Sequence, residues 1–495
     1  MTSITASILY NYIRCPHRVT LDLSGDVSKR DPINPFIQLL WDRGNAFELE
    51  VIEALEVPFL NLRDKPPAER IRLTTEAMAV KTLLIYGGRI CHDDMIGEPD
   101  LLKFDGNGYV AGDIKSGACV EGGSEDEDGK PKTHYAAQLA FYTDVLRRIK
   151  ANGSELPFVW DIHNNQVSYD LDAKRGPKVK LTMWEEYQEM LQGARDLLSG
   201  KSTSRPAWSS DCKLCHWRSF CLSAVVSMDD PSLISGLGRK TRDKLLPFIT
   251  SVEVLASPDL DNSIDEIIAS VDGVGKTSLN LFRARARLQK TPNGQPYYVE
   301  SVAIPPTERE LFFDVETDPM RDICYLHGFI ERFSADTNAE RYIAFLAESP
   351  NSEEEHRAFA EAWEYVNSFQ PTALFFYSPY EKTTWRKLAE RYPDIASLEE
   401  VNTLFKSPAA FDLYYGLTYS KTIWPTKSLS IKDLASFLGF SWRDPEPSGA
   451  ASVQWYHAWC DSNDSKIRKR ILEYNEDDCR AMCVLADAAR RMQVS

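Results

Sequence analysis

The chain contains no apolar run of about 18 residues, the length a membrane-spanning helix needs, so no such helix is expected. Met1 to Tyr12 has neither a basic start nor a small-residue cleavage site, and no secretory signal is expected there. Positive charge is also short. Against 73 Asp+Glu stand 57 Lys+Arg in 495 residues, a formal net charge of −16. A surface of that sign does not attract phosphate, which speaks against a nucleic-acid partner unless the acidic groups serve as metal ligands. A phosphate-binding loop is incomplete as well. Gly273-Val-Gly275-Lys276-Thr277 has Ser270 where the G-x-x-x-x-G-K-[ST] pattern needs glycine. Ile264 to Ala269 before it reads as helix rather than strand, so ATP-driven chemistry is not expected.

What is present supports folded domains. Hydrophobic residues make up 43% and aromatics 11%, which excludes wholesale disorder. At roughly 150 residues per domain the length suggests about three of them. Ten cysteines without a secretory signal point to a reducing, cytoplasmic setting, where clustered thiols serve as metal ligands more often than as disulfides. One cluster stands out, Cys212-x2-Cys215-x5-Cys221. Three thiolates so close suit zinc or an iron–sulfur cluster, with His216 or the distant Cys15 as fourth ligand.

The composition divides the chain into 1–228, 229–304 and 305–495. The first part reads as mixed α/β, with helical patterns at 36–56 and 134–150. Between them, Asp100 to Lys115 reads as a β-hairpin around the turn Asp105-Gly106-Asn107-Gly108. The acidic stretch Glu121 to Asp128 reads as a solvated loop. In the middle part Ile234-Ser-Gly236-Leu-Gly238 recurs as Val271-Asp-Gly273-Val-Gly275. The Pro- and Gly-bearing stretch 293–308 reads as a linker. The last part opens with a strand, Glu310 to Glu316, and closes with a helix from about Ile467 to Met492.

Three constellations carry chemistry. In the hairpin, Asp100 and Asp113 sit where two carboxylates can meet one divalent cation, such as Mg²⁺ or Mn²⁺. Such an ion polarises a phosphoryl oxygen and lowers the pKa of a bound water. Lys115 is two residues beyond Asp113 and faces the same way, placed to orient water or balance charge. Gln138 and Tyr142, at i,i+4 spacing on the next helix, complete a pattern more specific than Asp-x-Lys alone.

The repeat supplies the second constellation. Gly236, Gly238, Gly273 and Gly275 let the backbone turn tightly, so that the next helix's N–H groups can take a phosphate oxygen. Arg239, Lys240 and Lys276 follow the turns, with Arg242, Lys244, Arg283, Arg285 and Arg287 further on. The last three also read as a solvated helix face. The third constellation is Asp314 and Glu316 on one strand face, Glu381 at a helix start, and Tyr474-x3-Asp478 in the last helix. Converging carboxylates of this kind hold two metals, and Tyr474 is placed to align the attacking water. Asp477 reads as a surface residue, Asp412 as a strand end and His457 as structural.

The first constellation resembles the RecB-like branch of the PD-(D/E)xK nucleases. A subset of that branch holds a 4Fe–4S cluster with one Cys before the nuclease core and three after it. By that resemblance Cys15, Cys212, Cys215 and Cys221 are the ligands, and iron–sulfur is favoured over zinc. The branch's first motif places a His and an acidic residue on an early helix. Phe47 stands where the His is expected, and Glu48 is the acidic counterpart. The repeat resembles a helix-hairpin-helix motif. Asp314-x-Glu316, Glu381 and Tyr474-x3-Asp478 resemble the DEDDy 3′–5′ exonucleases of the RNase H-like fold, with Glu381 where the second motif normally has Asp. In this order the motifs are similar to a family of RecB-like nucleases. The resemblance implies a restriction-endonuclease-like α/β core, a small all-α module and an RNase H-like α/β domain. It also implies metal-dependent cleavage of nucleic acid, with DNA favoured over RNA but RNA still open. The alternative is a nucleic-acid-binding or scaffold protein that has kept the folds and lost the chemistry.

Overall fold

A turn at Asp105–Gly108 sets the register of a hairpin in the first part of the chain. Asp105 Oδ1 accepts the N–H groups of Asn107 and Gly108, both at 2.9 Å, and Gly106 takes φ +95°. Only glycine adopts that conformation without strain. The strands Leu101–Phe104 and Tyr109–Ile114 therefore pair antiparallel, with Phe104 opposite Tyr109. In the computed structural model every residue is described except 1–2, 118, 122–129, 163–164, 177–178, 306–307, 334–338, 371 and 493–495. From position 122 onward the acidic stretch to Asp128 lies outside the described residues.

The described chain is mixed helix and sheet, a multidomain α/β protein, and it divides into two compact units. One is Met1–Pro206 with Asp211–Phe220, and the other is Ala207–Ser210 with Cys221–Ser495. In the first unit the hairpin occupies the middle of a six-stranded sheet. Its strand order is Gln166–Ser168, Phe158–Trp160, Tyr109–Ile114, Leu101–Phe104, Leu84–Tyr86, Leu60–Asn61. Every residue of Tyr109–Ile114 is buried, the apolar run Tyr109–Gly112 and Asp113 alike. The helix Thr133–Arg148 is buried along most of its length and packs on that strand. Asn34 caps the helix Pro35–Glu53 through Phe36 N–H at 2.9 Å, with Pro35 in the first turn.

The second unit begins with short helices around one apolar core. Leu233, Ile234 and Leu237 from one glycine turn meet Val271, Val274 and Leu279 from the other. Gly236 and Gly273 take φ +82° and +83°, while Gly238 and Gly275 precede the helices Arg239–Leu245 and Lys276–Lys290. The two turns thus share one backbone form. The stretch read as a linker is partly docked instead. Tyr297–Tyr298 pairs with Thr422–Ile423, and the buried Tyr298 hydroxyl donates to Ala489 O at 3.0 Å.

Beyond it lies a five-stranded sheet in the order Arg341–Leu346, Ile323–Phe333, Arg309–Asp318, Thr372–Phe376, Ala410–Asp412. The first two pairings are antiparallel and the last two parallel. The register of the central strand shifts between Glu316 and Thr317. The closing helix Ser465–Arg491 packs across the two longest strands with a continuous buried stripe from Ile471 to Ala489. These strands and this helix position the second carboxylate site.

Candidate active sites

In the first unit the strand Tyr109–Ile114 buries Asp113 and ends beside Lys115, whose ammonium forms an ion pair with the Asp113 carboxylate. Asp100 Oδ2 accepts Ile114 N–H at 2.8 Å, which fixes it across the hairpin from Asp113. Burial pushes the Asp113 carboxyl up, and Asp100 pushes it further, against the pull of Lys115. Burial opposes the Lys115 charge, but Asp113 and Asp100 outweigh it and hold the ammonium protonated.

Glu48 is buried, and its carboxyl is raised first by burial and then by Asp100. Tyr86 O–H donates to Glu48 Oε1 at 2.9 Å. Arg63, which sequence reasoning missed, lies between two of these acids. Its Nη2 is 3.0 Å from Glu48 Oε2 and its Nη1 3.7 Å from Asp100 Oδ1. Gln138 Nε2 donates to Tyr142 OH at 2.9 Å, and Tyr142 donates to Glu98 O at 3.2 Å. Lys115, Gln138 and Tyr142 line one cleft of about 630 Å³, with Trp41 and Tyr135 on its walls. Phe47 belongs to an apolar core with Val51, Ile52 and Leu101 and supplies no ligand.

In the second unit one carboxylate oxygen from each of Asp314, Glu316 and Asp478 lies within 4.8 Å of the others. Among the described residues this is the one such group of His, Cys, Asp or Glu side chains. The strand presents Asp314 and Glu316 on one face, and the closing helix brings Asp478 to them. Asn475, one turn before Asp478, donates to Asp314 Oδ2 at 2.7 Å and accepts from Tyr342 O–H at 2.8 Å. A Cβ on Gly328 would lie 1.5 Å from Asn475 Oδ1, so this glycine makes room for that bond. Tyr325 O–H donates to Glu316 Oε2 at 3.3 Å.

Burial raises the Asp314 carboxyl, and Asp478 raises it further. The Glu316 carboxyl is raised by burial, then by Asp314 and Asp478. Glu381 is buried, with Oε2 lacking a hydrogen-bond partner among the described residues, and is raised by burial and by Asp314. It lies near Asp314 but outside the close group of three. Buried carboxylates that raise one another fit a divalent cation, which offsets their charge. Lys432 and Trp442, also missed by sequence reasoning, face Asp478. Lys432 Nζ is 2.8 Å and 3.1 Å from its two oxygens, and Trp442 Nε1–H donates to Oδ1 at 2.7 Å. Lys432 also donates to Tyr474 OH at 3.0 Å.

Residues 40–222 match the family model of the PD-(D/E)XK nuclease superfamily, and residues 311–490 match that of the RNase_H superfamily. The chain carries two nuclease-superfamily domains. No curated protein matches it. A chain with two such domains is supported as a nuclease acting on nucleic acid.

Within the RNase H domain Asp412 caps its strand end, accepting N–H bonds from Tyr414 at 2.8 Å and from Ser378 and Tyr415 at 3.1 Å. His457 pairs with the fully buried Asp318 at 2.6 Å. Asp477, read as a surface residue, is buried instead and bound by Arg443 through its backbone N–H at 2.8 Å and Nε at 2.9 Å. Of the three arginines read as a solvated face, Arg287 is exposed as read, while the other two are corrected. Arg283 and Arg285 are buried, and Arg285 donates to Ser235 O at 2.7 Å and Tyr419 O at 2.6 Å. Arg242 is fully buried near Asp230. Gly236, Gly238, Lys240, Gly273, Gly275 and Lys276 are exposed, and Arg239 donates to Ala207 O at 3.2 Å. Lys276 pairs with Asp265 at 3.2 Å in solvent.

Of the four cysteines, Cys15, Cys212 and Cys215 belong to the first unit, and Cys221 packs with the second. The Cys215 thiol is raised by burial and further by Cys15 and Cys212, which marks the three as neighbours. Sulfur accepts backbone N–H bonds at two of them, Cys15 from Arg18 at 3.3 Å and Cys215 from Trp217 at 3.5 Å. His216, the alternative fourth ligand, bonds Asp22 through Nε2 at 2.7 Å.

Proposed function

We propose that the chain is a Mg²⁺- or Mn²⁺-dependent nuclease that cuts DNA in preference to RNA, works as an exonuclease, and serves cytoplasmic DNA repair, processing or defence. The observation that carries the reading is the meeting of Asp314, Glu316 and Asp478 within 4.8 Å in the RNase H domain. A divalent ion bound by these three and by Glu381 supplies charge for the phosphoryl oxygens and acidity for a water. The Tyr474 hydroxyl is pushed well up by burial and by Asp478, Glu316 and Asp314, so it keeps its proton. It therefore orients a water by hydrogen bonding rather than acting as a base.

In the PD-(D/E)XK domain Asp100, Asp113 and Glu48 would hold a second centre. The Lys115 ammonium steadies charge developing on the phosphate, with Gln138 and Tyr142 at the approach. The turns at Gly236–Gly238 and Gly273–Gly275, with Arg239, Lys240 and Lys276, hold the sugar–phosphate backbone without reading sequence. Cys15, Cys212, Cys215 and Cys221 hold a 4Fe–4S cluster; the support is their spacing, the N–H bonds to Cys15 and Cys215, and the resemblance.

A second reading applies to the first domain, which binds nucleic acid without cutting it. Arg63 between Glu48 and Asp100, and Phe47 in the apolar core, favour it. The test is a metal-titrated assay on end-labelled linear and on circular DNA and RNA, single- and double-stranded. Exonuclease action predicts loss of linear DNA, survival of circles, and little loss of RNA. Cutting of circles at the same rate refutes the exonuclease reading, and equal loss of RNA refutes the DNA preference.

A further inference from the structure

Asp478 already has two of the protein's own donors on its carboxylate. Lys432 Nζ reaches both carboxylate oxygens, at 2.8 Å and 3.1 Å, and Trp442 adds an N–H bond to Oδ1 at 2.7 Å. The same ammonium donates to Tyr474 OH at 3.0 Å and lies 4.7 Å from that ring's centre and 5.1 Å from that of Trp442. One positive charge therefore sits on both the carboxylate and the tyrosine that the RNase H domain brings to its site. Its side chain is 30% exposed, and it stands on a helix of seven residues, Ile431–Phe437. A lysine stem of four carbons with one end in solvent can swing while its helix stays in place.

We propose that Lys432 is a resident cation of this site, holding Asp478 and Tyr474 in place and yielding Asp478 when a divalent ion binds. The inference rests on the reading that Asp314, Glu316 and Asp478 take such an ion. An ion that takes an Asp478 oxygen must share it with, or displace, an ammonium that repels it. Lys432 thus lowers the affinity of the site for metal. Its bond to Tyr474 does a second job. By filling a lone pair of the phenol oxygen, it fixes the direction in which the tyrosine O–H donates. Lys432 is on this account a positioning residue with opposite effects on metal binding and on turnover.

The experiment is a Mn²⁺ titration of the full chain, following free Mn²⁺ by its electron paramagnetic resonance signal. Binding lost in Glu316→Gln is assigned to this site. Lys432→Met is expected to bind Mn²⁺ there at least about tenfold more tightly than the natural protein. At saturating Mn²⁺ it is expected to cleave labelled DNA at least about tenfold more slowly, the scale of a lost positioning bond. Lys432→Arg keeps the charge and stays near the natural affinity. A purely structural lysine would weaken binding and cleavage together, and that result, or unchanged affinity in a Lys432→Met or Lys432→Gln protein that unfolds normally, overturns the inference alone. Absence of any Glu316-dependent Mn²⁺ binding in all variants overturns the metal site itself and this inference with it.

Discussion

Raising the pH of the metal-free protein will cost it stability, and a measurable part of the cost belongs to Glu316. The carboxyls of Asp314, Glu316 and Glu381 are raised above their ordinary values of 3.8 and 4.5 by burial and by one another's neighbours. The folded chain holds their protons more tightly than the unfolded chain does. Stability from this source is whole below the ordinary values and is lost as pH climbs toward the raised ones. Each extra proton held by the folded chain costs about 1.4 kcal/mol of stability for every pH unit over which the unfolded chain has lost it. Glu48 and Asp113 are raised too and add to the same slope, so the decisive comparison is with Glu316→Gln. Urea unfolding followed by tryptophan fluorescence, in chelator at about pH 5 and about pH 8, will show a steeper loss for the natural protein than for the variant. Mn²⁺ at about a hundredfold its Kd will restore about 2.7 kcal/mol at the higher pH, and only where Glu316 is present. Equal slopes in the two proteins, or natural stability that rises across the range, would refute the reasoning.

Further outcomes follow from single contacts. Gly328→Ala places a Cβ 1.5 Å from Asn475 Oδ1, breaks the Asn475–Asp314 bond, and will destabilise by about 1–3 kcal/mol in thermal unfolding; an unchanged Tm contradicts this. Arg285→Met removes bonds to Ser235 O and Tyr419 O and will cost about 2–4 kcal/mol, read by urea unfolding. A loss below about 0.5 kcal/mol would mean those bonds do not hold the segments together. Anaerobically prepared protein will contain iron and absorb visible light, and Cys215→Ser will lose much of both. A natural preparation with neither removes the cluster.

Much of the fold was legible because its signals are local. Asp105-Gly106-Asn107-Gly108 carries its own turn chemistry, and the strand after it is announced by the apolar run Tyr109–Gly112. Asp314 and Glu316 share a strand face by spacing alone, and Tyr474 and Asp478 are one helical turn apart. What sequence did not reveal is held by distant pairings. Lys432 and Trp442 meet Asp478 from 46 and 36 positions away, and Arg63 meets Glu48 from 15, with no periodicity to announce them. Arg283 and Arg285 read as a solvated face because arginine is seldom buried; here carbonyls and acids of the same unit take their donors. Tyr297–Tyr298 read as linker because a two-residue strand pairs only with a segment more than a hundred residues on. The net charge of −16 is a poor guide for a related reason, since it does not show where charge gathers, as it does at Asp314, Glu316 and Asp478.

The most direct test is cleavage of end-labelled DNA by the natural chain, Asp478→Ala, Lys115→Ala and the double variant, each in Mn²⁺ and in chelator. The account predicts Mn²⁺-dependent cleavage that Asp478→Ala lowers by at least about a hundredfold, with any residue removed by adding Lys115→Ala. Cleavage that persists in the double variant, or that proceeds undiminished in chelator, would contradict it.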